Sequence, residues 1–185
     1  MRDLTRSTAS KERTTRRCNL KTSGALFNTD YGFAAVAWSG GKIVRVILPC
    51  RSKSRAIQKL EHGLENLEIV SDDPPVVGDL KAFFRGEQPD FSGYELDLSG
   101  LGPFHRKALI EARRIPYGET VAYGELAGRL GKPGAARAVG AAMSGNPVPI
   151  LIPCHRVVGS DGSMRGFTAA GGIGLKKKLL QMESG

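Results

Sequence analysis

Cysteine is scarce in this chain: Cys18, Cys50 and Cys154 are odd in number and widely spaced in 185 residues. No C-x-x-C pair occurs, and His62, His105 and His155 show no ligand spacing. A disulfide framework and a zinc cluster are therefore not expected, and no metal or other cofactor is called for. Long apolar runs are also missing. The longest, Val148 to Cys154, is far too short to cross a bilayer, and the first 25 residues hold no apolar core of signal-peptide length. No membrane association is expected. A reducing cytoplasm fits, because a functional free thiol survives there.

Acidic residues are few where the chain is most basic. Residues 1–21 carry seven Lys/Arg against two Asp/Glu, residues 22–100 eight against eleven, and residues 101–185 twelve against five. The balances are +5, −3 and +7, which sum to the formal charge of +9. A basic C-terminal half beside a slightly acidic middle points to a polyanionic partner for the former.

The spacing of apolar residues and chain breakers divides the chain in three. Residues 1–20 are polar, basic and aperiodic, which predicts a disordered tail. Residues 21–99 read as a small α/β unit. Ala25 to Trp38 partly alternates, Ser39-Gly40-Gly41 turns, and Lys42 to Leu48 is β-branched. Helices are predicted from Ser52 to Gly63, with Ile57, Leu60 and Leu64 on one face, and from Val76 to Phe84. Tyr94 to Leu98 alternates as a last strand. Small and breaking residues at Ser99 to Pro103 mark a junction. Residues 100–185 are mostly helical: Phe104 to Arg114, a helix capped by Thr120 and running to Leu130, Ala135 to Ser144, and a last helix from about Gly172. Two short helices joined by a Gly-containing turn match a helix-turn-helix. The fold class expected is α+β.

Cys154 and His155 end the apolar run. A thiolate is a strong nucleophile, and an adjacent His or Arg favours the charged form. Pro147, Pro149 and Pro153 exclude a regular strand, so the backbone can bend and turn both side chains to one pocket. Taken alone, the pair is more simply read as a buried structural Cys beside a satisfied His.

The surroundings decide. Ile115 to Arg156 reads IPYGETVAYGELAGRLGKPGAARAVGAAMSGNPVPILIPCHR. Its PYGxTxxYxxLA, ARAVGxAMxxNP and PCHRV blocks, and the closing LLxxE, resemble the O6-alkylguanine-DNA alkyltransferases, the methylated-DNA–protein-cysteine methyltransferases. The resemblance is close over the last 80 or so residues and looser upstream. It implies a ribonuclease-H-like scaffold domain followed by a winged-helix-like domain with a helix-turn-helix and an active-site Cys loop.

The resemblance implies roles residue by residue. Cys154 is the alkyl acceptor, His155 takes its proton through a water, and Glu183 orients the imidazole. Asn146 ties the helix-turn-helix to the Cys loop. Tyr123 crowds the backbone phosphate and hydrogen-bonds the extruded base. Arg137 fills the gap that the base leaves, flanked by Ala136 and Ala138 on a thin helix that enters the minor groove without reading sequence. Met143, Pro149, Val157 and Thr168 line the base pocket. The partner implied is double-stranded DNA carrying O6-alkylguanine, and a monomer is expected. The loop Gly166 to Gly172 departs from the family pattern: Phe167 replaces a common tyrosine, and two extra residues lengthen it. Two other readings remain open: a non-catalytic binder of alkylated DNA, and an unrelated Cys-His hydrolase.

Overall fold

The computed structural model describes residues 21–71, 73–164 and 172–184. The basic tail expected over residues 1–20 lies outside them. Three strands, β1 (Thr22–Thr29), β2 (Gly32–Ser39) and β3 (Lys42–Cys50), form an antiparallel meander. Gly40 and Gly41 take positive φ values of 56° and 79°, the backbone that a two-residue hairpin turn requires. A short strand β4 (Leu67–Ile69) adds parallel to β1, so the sheet order is β3-β2-β1-β4. Three residues are too few for alternation to show, and the sequence reading misses β4.

β2 explains why the alternation there is only partial: both faces of the sheet are covered. Ala35 and Ala37 pack with Leu60 of α1 (Lys53–Glu61), while Ala34 and Val36 join the larger cluster containing α2 (Pro75–Phe84). α1 begins at a Ser52 cap whose hydroxyl accepts from the Arg55 N–H at 3.3 Å. It ends before Gly63 and buries Ala56 and Leu60; of the expected face Leu60 is buried, Leu64 packs against its cluster and Ile57 is half-buried.

Two expectations fail locally. Tyr94 to Leu98 is not a strand; it makes one isolated bridge, Leu96 to Ile43. Asp97 turns its carboxylate onto the Ser99 N–H at 2.9 Å, which bends the chain away from the sheet. Thr120 does not cap the next helix. Val121–Ala122 instead extend as β5, pairing in parallel with β6 (Val157–Val158), and α4 (Tyr123–Arg129) starts two residues later than expected.

α3 (Pro103–Ala112), α4 and α5 (Ala136–Ser144) pack on one another, and α6 (Gly172–Glu183) closes the chain. One continuous buried cluster joins both halves of the protein, running from Val36 and Phe83 to Ile115, Ile152 and Leu179. Among the described residues no helix is long and apolar enough to cross a membrane, and no His/Cys/Asp/Glu group could hold a metal ion.

Candidate active site

The segment between α5 and β6 carries the site. Ile150 sits at φ 76°, a left-handed backbone that a β-branched residue adopts only under strain, on the order of 1–3 kcal/mol. Asn146 holds the segment from within. Its amide donates to the Ile152 carbonyl at 2.9 Å, and its side-chain oxygen accepts from the Val148 N–H at 3.0 Å. A single 3₁₀ turn, Cys154–Arg156, follows, and the β5–β6 ladder pins its far end to α4. The bend that the three prolines imply is this turn.

Cys154 is 5% exposed and His155 fully buried. Glu183, two helical turns beyond Lys176 on α6, accepts from three directions. His155 Nε2 lies 2.7 Å from Oε1, Arg156 Nε 2.8 Å from Oε2, and Arg156 Nη2 2.9 Å from Oε1. The Gly118 N–H approaches Oε2 at 3.4 Å. A side chain at Gly118, with φ 77°, would press on the Glu183 carbonyl at 3.0 Å. Burial pushes the Glu183 carboxyl up, but the bonds and charges of His155 and Arg156 outweigh it and carry the pKa down to about 2. An ionised carboxylate only accepts, so Nε2 carries the hydrogen and Nδ1 keeps a lone pair. Nδ1 is buried and has no protein partner among the described residues. Burial lowers the His155 pKa despite Glu183, so the ring is neutral.

The Cys154 thiol is pushed up by burial, against which the Asn146 amide and the Lys176 ammonium act. The charge facing the sulfur is therefore Lys176, not the side chains of His155 and Arg156 that the adjacent sequence suggests. Arg156 is spent on Glu183 and on the Ile115 carbonyl at 2.7 Å. Lys176 is 1% exposed, donates to the Val157 carbonyl at 2.6 Å, and stands 3.5 Å from the Tyr123 hydroxyl and 5.7 Å from its ring centroid. Burial lowers its pKa, and the charge on Cys154 acts in the opposite direction. Tyr123 is half-buried at the start of α4, with burial and the Cys154 charge both raising its pKa. A side chain at Gly140 of α5 would meet the Tyr123 ring at 3.9 Å.

Sequence reasoning missed Lys176, and also Phe83, whose ring lies 6.1 Å from that of His155 and carries α2 to the site. Lys176 had a readable signal: with Leu179 and Glu183 it falls at i, i+3 and i+7, one face of α6. Phe83 had none, because its contact is long-range.

The other candidates fall as follows. Met143, Pro149 and Val157 are buried around the segment, Val157 using its carbonyl on Lys176. Arg137 and Ala138 are exposed on α5, with Ala136 partly so, while Val139, Ala142 and Met143 hold the helix to the core. Among the described residues Arg137 forms no ion pair. Thr168, with Phe167, lies outside the described residues.

Comparison with known proteins points one way. A family profile described as "6-O-methylguanine DNA methyltransferase, DNA binding domain" matches residues 103–185. A methylated-DNA–protein-cysteine methyltransferase of Mycobacterium bovis is 48% identical over 107 residues, which are 58% of this chain and 62% of the relative. The match thus spans less than two thirds of that relative's length. The enzyme of the same name from Mycobacterium leprae is 41% identical over 157 residues, covering 74% of this chain and 93% of the relative. A crystal structure of Mycobacterium tuberculosis OGT in complex with DNA superposes with a TM-score of 0.69 at 35% identity, covering 88% of this chain and 92% of that one.

Proposed function

This chain belongs to the methylated-DNA–protein-cysteine methyltransferase family, and on that premise we propose that it repairs O6-alkylguanine in duplex DNA by taking the alkyl group irreversibly onto Cys154. The observation that carries the reading is the buried line of groups around one sulfur: Glu183, His155, Cys154, Lys176 and Tyr123.

The steps balance. His155 Nδ1 takes the thiol proton through one water, and Glu183 stabilises the imidazolium. The sulfur attacks the alkyl carbon as the C–O bond breaks. The leaving guanine takes a proton from the Tyr123 hydroxyl, which Lys176 polarises. A thioether has no easy route back, so each chain acts once. The target must first leave the stack, at a cost of a few kcal/mol. The exposed face of α5 offers small residues to the minor groove, and Arg137 supplies a planar cation to occupy the vacated space. That the M. tuberculosis relative is found in complex with DNA supports DNA as the partner.

The test is stoichiometry. Mixed with duplex DNA carrying O6-methylguanine, the protein should remove one methyl group per chain and then stop. Continued turnover, or turnover of simple esters, sinks the proposal in favour of a hydrolase. Tight binding without methyl loss favours a non-catalytic binder. A second expectation isolates extrusion. Arg137→Ala should slow repair of duplex DNA by roughly tenfold or more, the loss of one to a few kcal/mol against the cost of unstacking. Its rate with free O6-benzylguanine should not change. An equal slowing on both substrates would remove Arg137 from extrusion.

A further inference from the structure

Away from α5 and the Cys154 site, one cluster of positive charge lies around the start of α1. Residues 22–100 are acidic in balance, yet residues 51–60, RSKSRAIQKL, carry four cations and no carboxylate. Burial of Ala56 and Leu60 fixes the roll of α1 and turns Lys53 and Arg55 to solvent, and Arg51, just before the helix, is exposed as well. A cavity of about 560 Å³ opens there, lined by Arg51, Arg55, Tyr31 and Cys50 on one side and by Gly174 and Lys178 of α6 on the other. Lys178 stands over the Tyr31 ring at 5.8 Å. The one carboxylate in the lining is Asp30.

Three other cations of the same half are neutralised: Lys42 by Glu95, Lys81 by Asp73 and Arg85 by Glu87. Among the described residues Arg51, Arg55 and Lys178 form no ion pair. Unpaired like charges held together repel, and an anion would relieve that repulsion. The shape favours a linear anion over a single one. A second, shallower hollow lined by Ser54, Arg55, Gln58 and Lys59 shares Arg55 with the first, so the charges form a track rather than a point. Lys178 lies two residues from Lys176, about 200° around a helix of 3.6 residues per turn, and so on the opposite face of α6 from the reacting sulfur.

We infer that Arg51, Arg55 and Lys178 form a second DNA-backbone surface, separate from α5, which holds a duplex tract outside the reacting site through its phosphates. The inference rests on the DNA-repair reading and extends it to a part of the chain that lies outside the matched DNA-binding region, apart from Lys178. Its contacts carry no sequence information, as suits a protein that must hold any tract while it searches.

The experiment measures binding to lesion-free duplex DNA across a salt series. It compares the native chain, the triple variant Arg51→Ala/Arg55→Ala/Lys178→Ala, and a charge-matched triple variant Lys42→Ala/Lys81→Ala/Arg85→Ala. Removing three phosphate-binding side chains should reduce the slope of log affinity against log salt by about 2 to 3 in the first variant. The control should keep the native slope, and all three proteins should react alike with free O6-benzylguanine. Native slopes in all three proteins, or equal reductions in both variants, overturn the inference. Affinity for inorganic phosphate that the first variant loses while its DNA slope stays native also overturns it, in favour of a small-anion site. A native chain that binds duplex with the expected slope but removes no methyl group would defeat the repair reading and leave this surface standing.

Discussion

Glu183→Ala should lower the melting temperature by on the order of 10 °C. Removing one partner of a buried ion pair costs about 3–5 kcal/mol, and each kcal/mol moves a chain of this size by about 2–4 °C. The Glu183 carboxylate is fully enclosed and, among the described residues, is the only carboxylate that Arg156 touches, through two bonds of 2.8 and 2.9 Å. Its loss leaves a guanidinium that is 11% exposed with, among the described residues, the Ile115 carbonyl and the Tyr117 ring, 5.5 Å away. The pH dependence carries a sign. The folded-state pKa, about 2, lies below the ordinary 4.5, so the stabilisation is complete above 4.5 and is lost as pH falls towards 2. The gap in melting temperature between native and variant chains should hold at neutral pH and close in acid. Calorimetry over that range checks it, and a gap that persists unchanged at the acid end would contradict the assignment. The variant should also react slowly, because His155 loses both its orientation and the partner of its imidazolium.

Lys176→Met should cut the rate of Cys154 alkylation by free O6-benzylguanine by about tenfold at neutral pH. An opposing charge within a few ångströms moves a pKa by about one to three units, and one unit is a factor of ten in thiolate. Burial already raises the Cys154 pKa, and Lys176 is the charge that works against it. Without it the pH–rate profile should move to higher pH by about one unit, with rates converging at the alkaline end. The fold should survive, since Met matches the lysine stem and replaces a buried charge with an apolar group. Stopped-flow or quench measurements across pH read the shift. A slower variant with the native profile would remove Lys176 from thiol activation and leave it only its contact with Tyr123.

The sequence was most legible where local chemistry repeats over many residues. The hairpin Ser39-Gly40-Gly41, the α5 run AARAVGAAMS and the proline-punctuated Cys154 segment each announce their backbone, and the structure places them where they were expected. It was least legible where tertiary contact overrides local preference. Thr120 looks like a cap, but pairing of Val121–Ala122 with Val157–Val158 takes the backbone elsewhere. Tyr94 to Leu98 alternates, yet it lies at a margin where one bridge is all the sheet offers. His155, Glu183 and Asn146 were named as candidates from the family resemblance, and the structure gathers them around the Cys154 segment. The charge opposite the sulfur could not, since proximity in sequence favoured Arg156. Geometry gives Arg156 to the carboxylate and leaves Lys176, twenty-two positions downstream of Cys154, to act on the thiol.

The most direct measurement is peptide mapping by mass spectrometry after reaction with duplex DNA bearing O6-methylguanine. A single added CH2 should sit on the peptide containing Cys154, and the Cys154→Ala chain should gain nothing. A methyl group found on Cys18 or Cys50, or a lesion removed with no mass gained by the protein, would contradict the account.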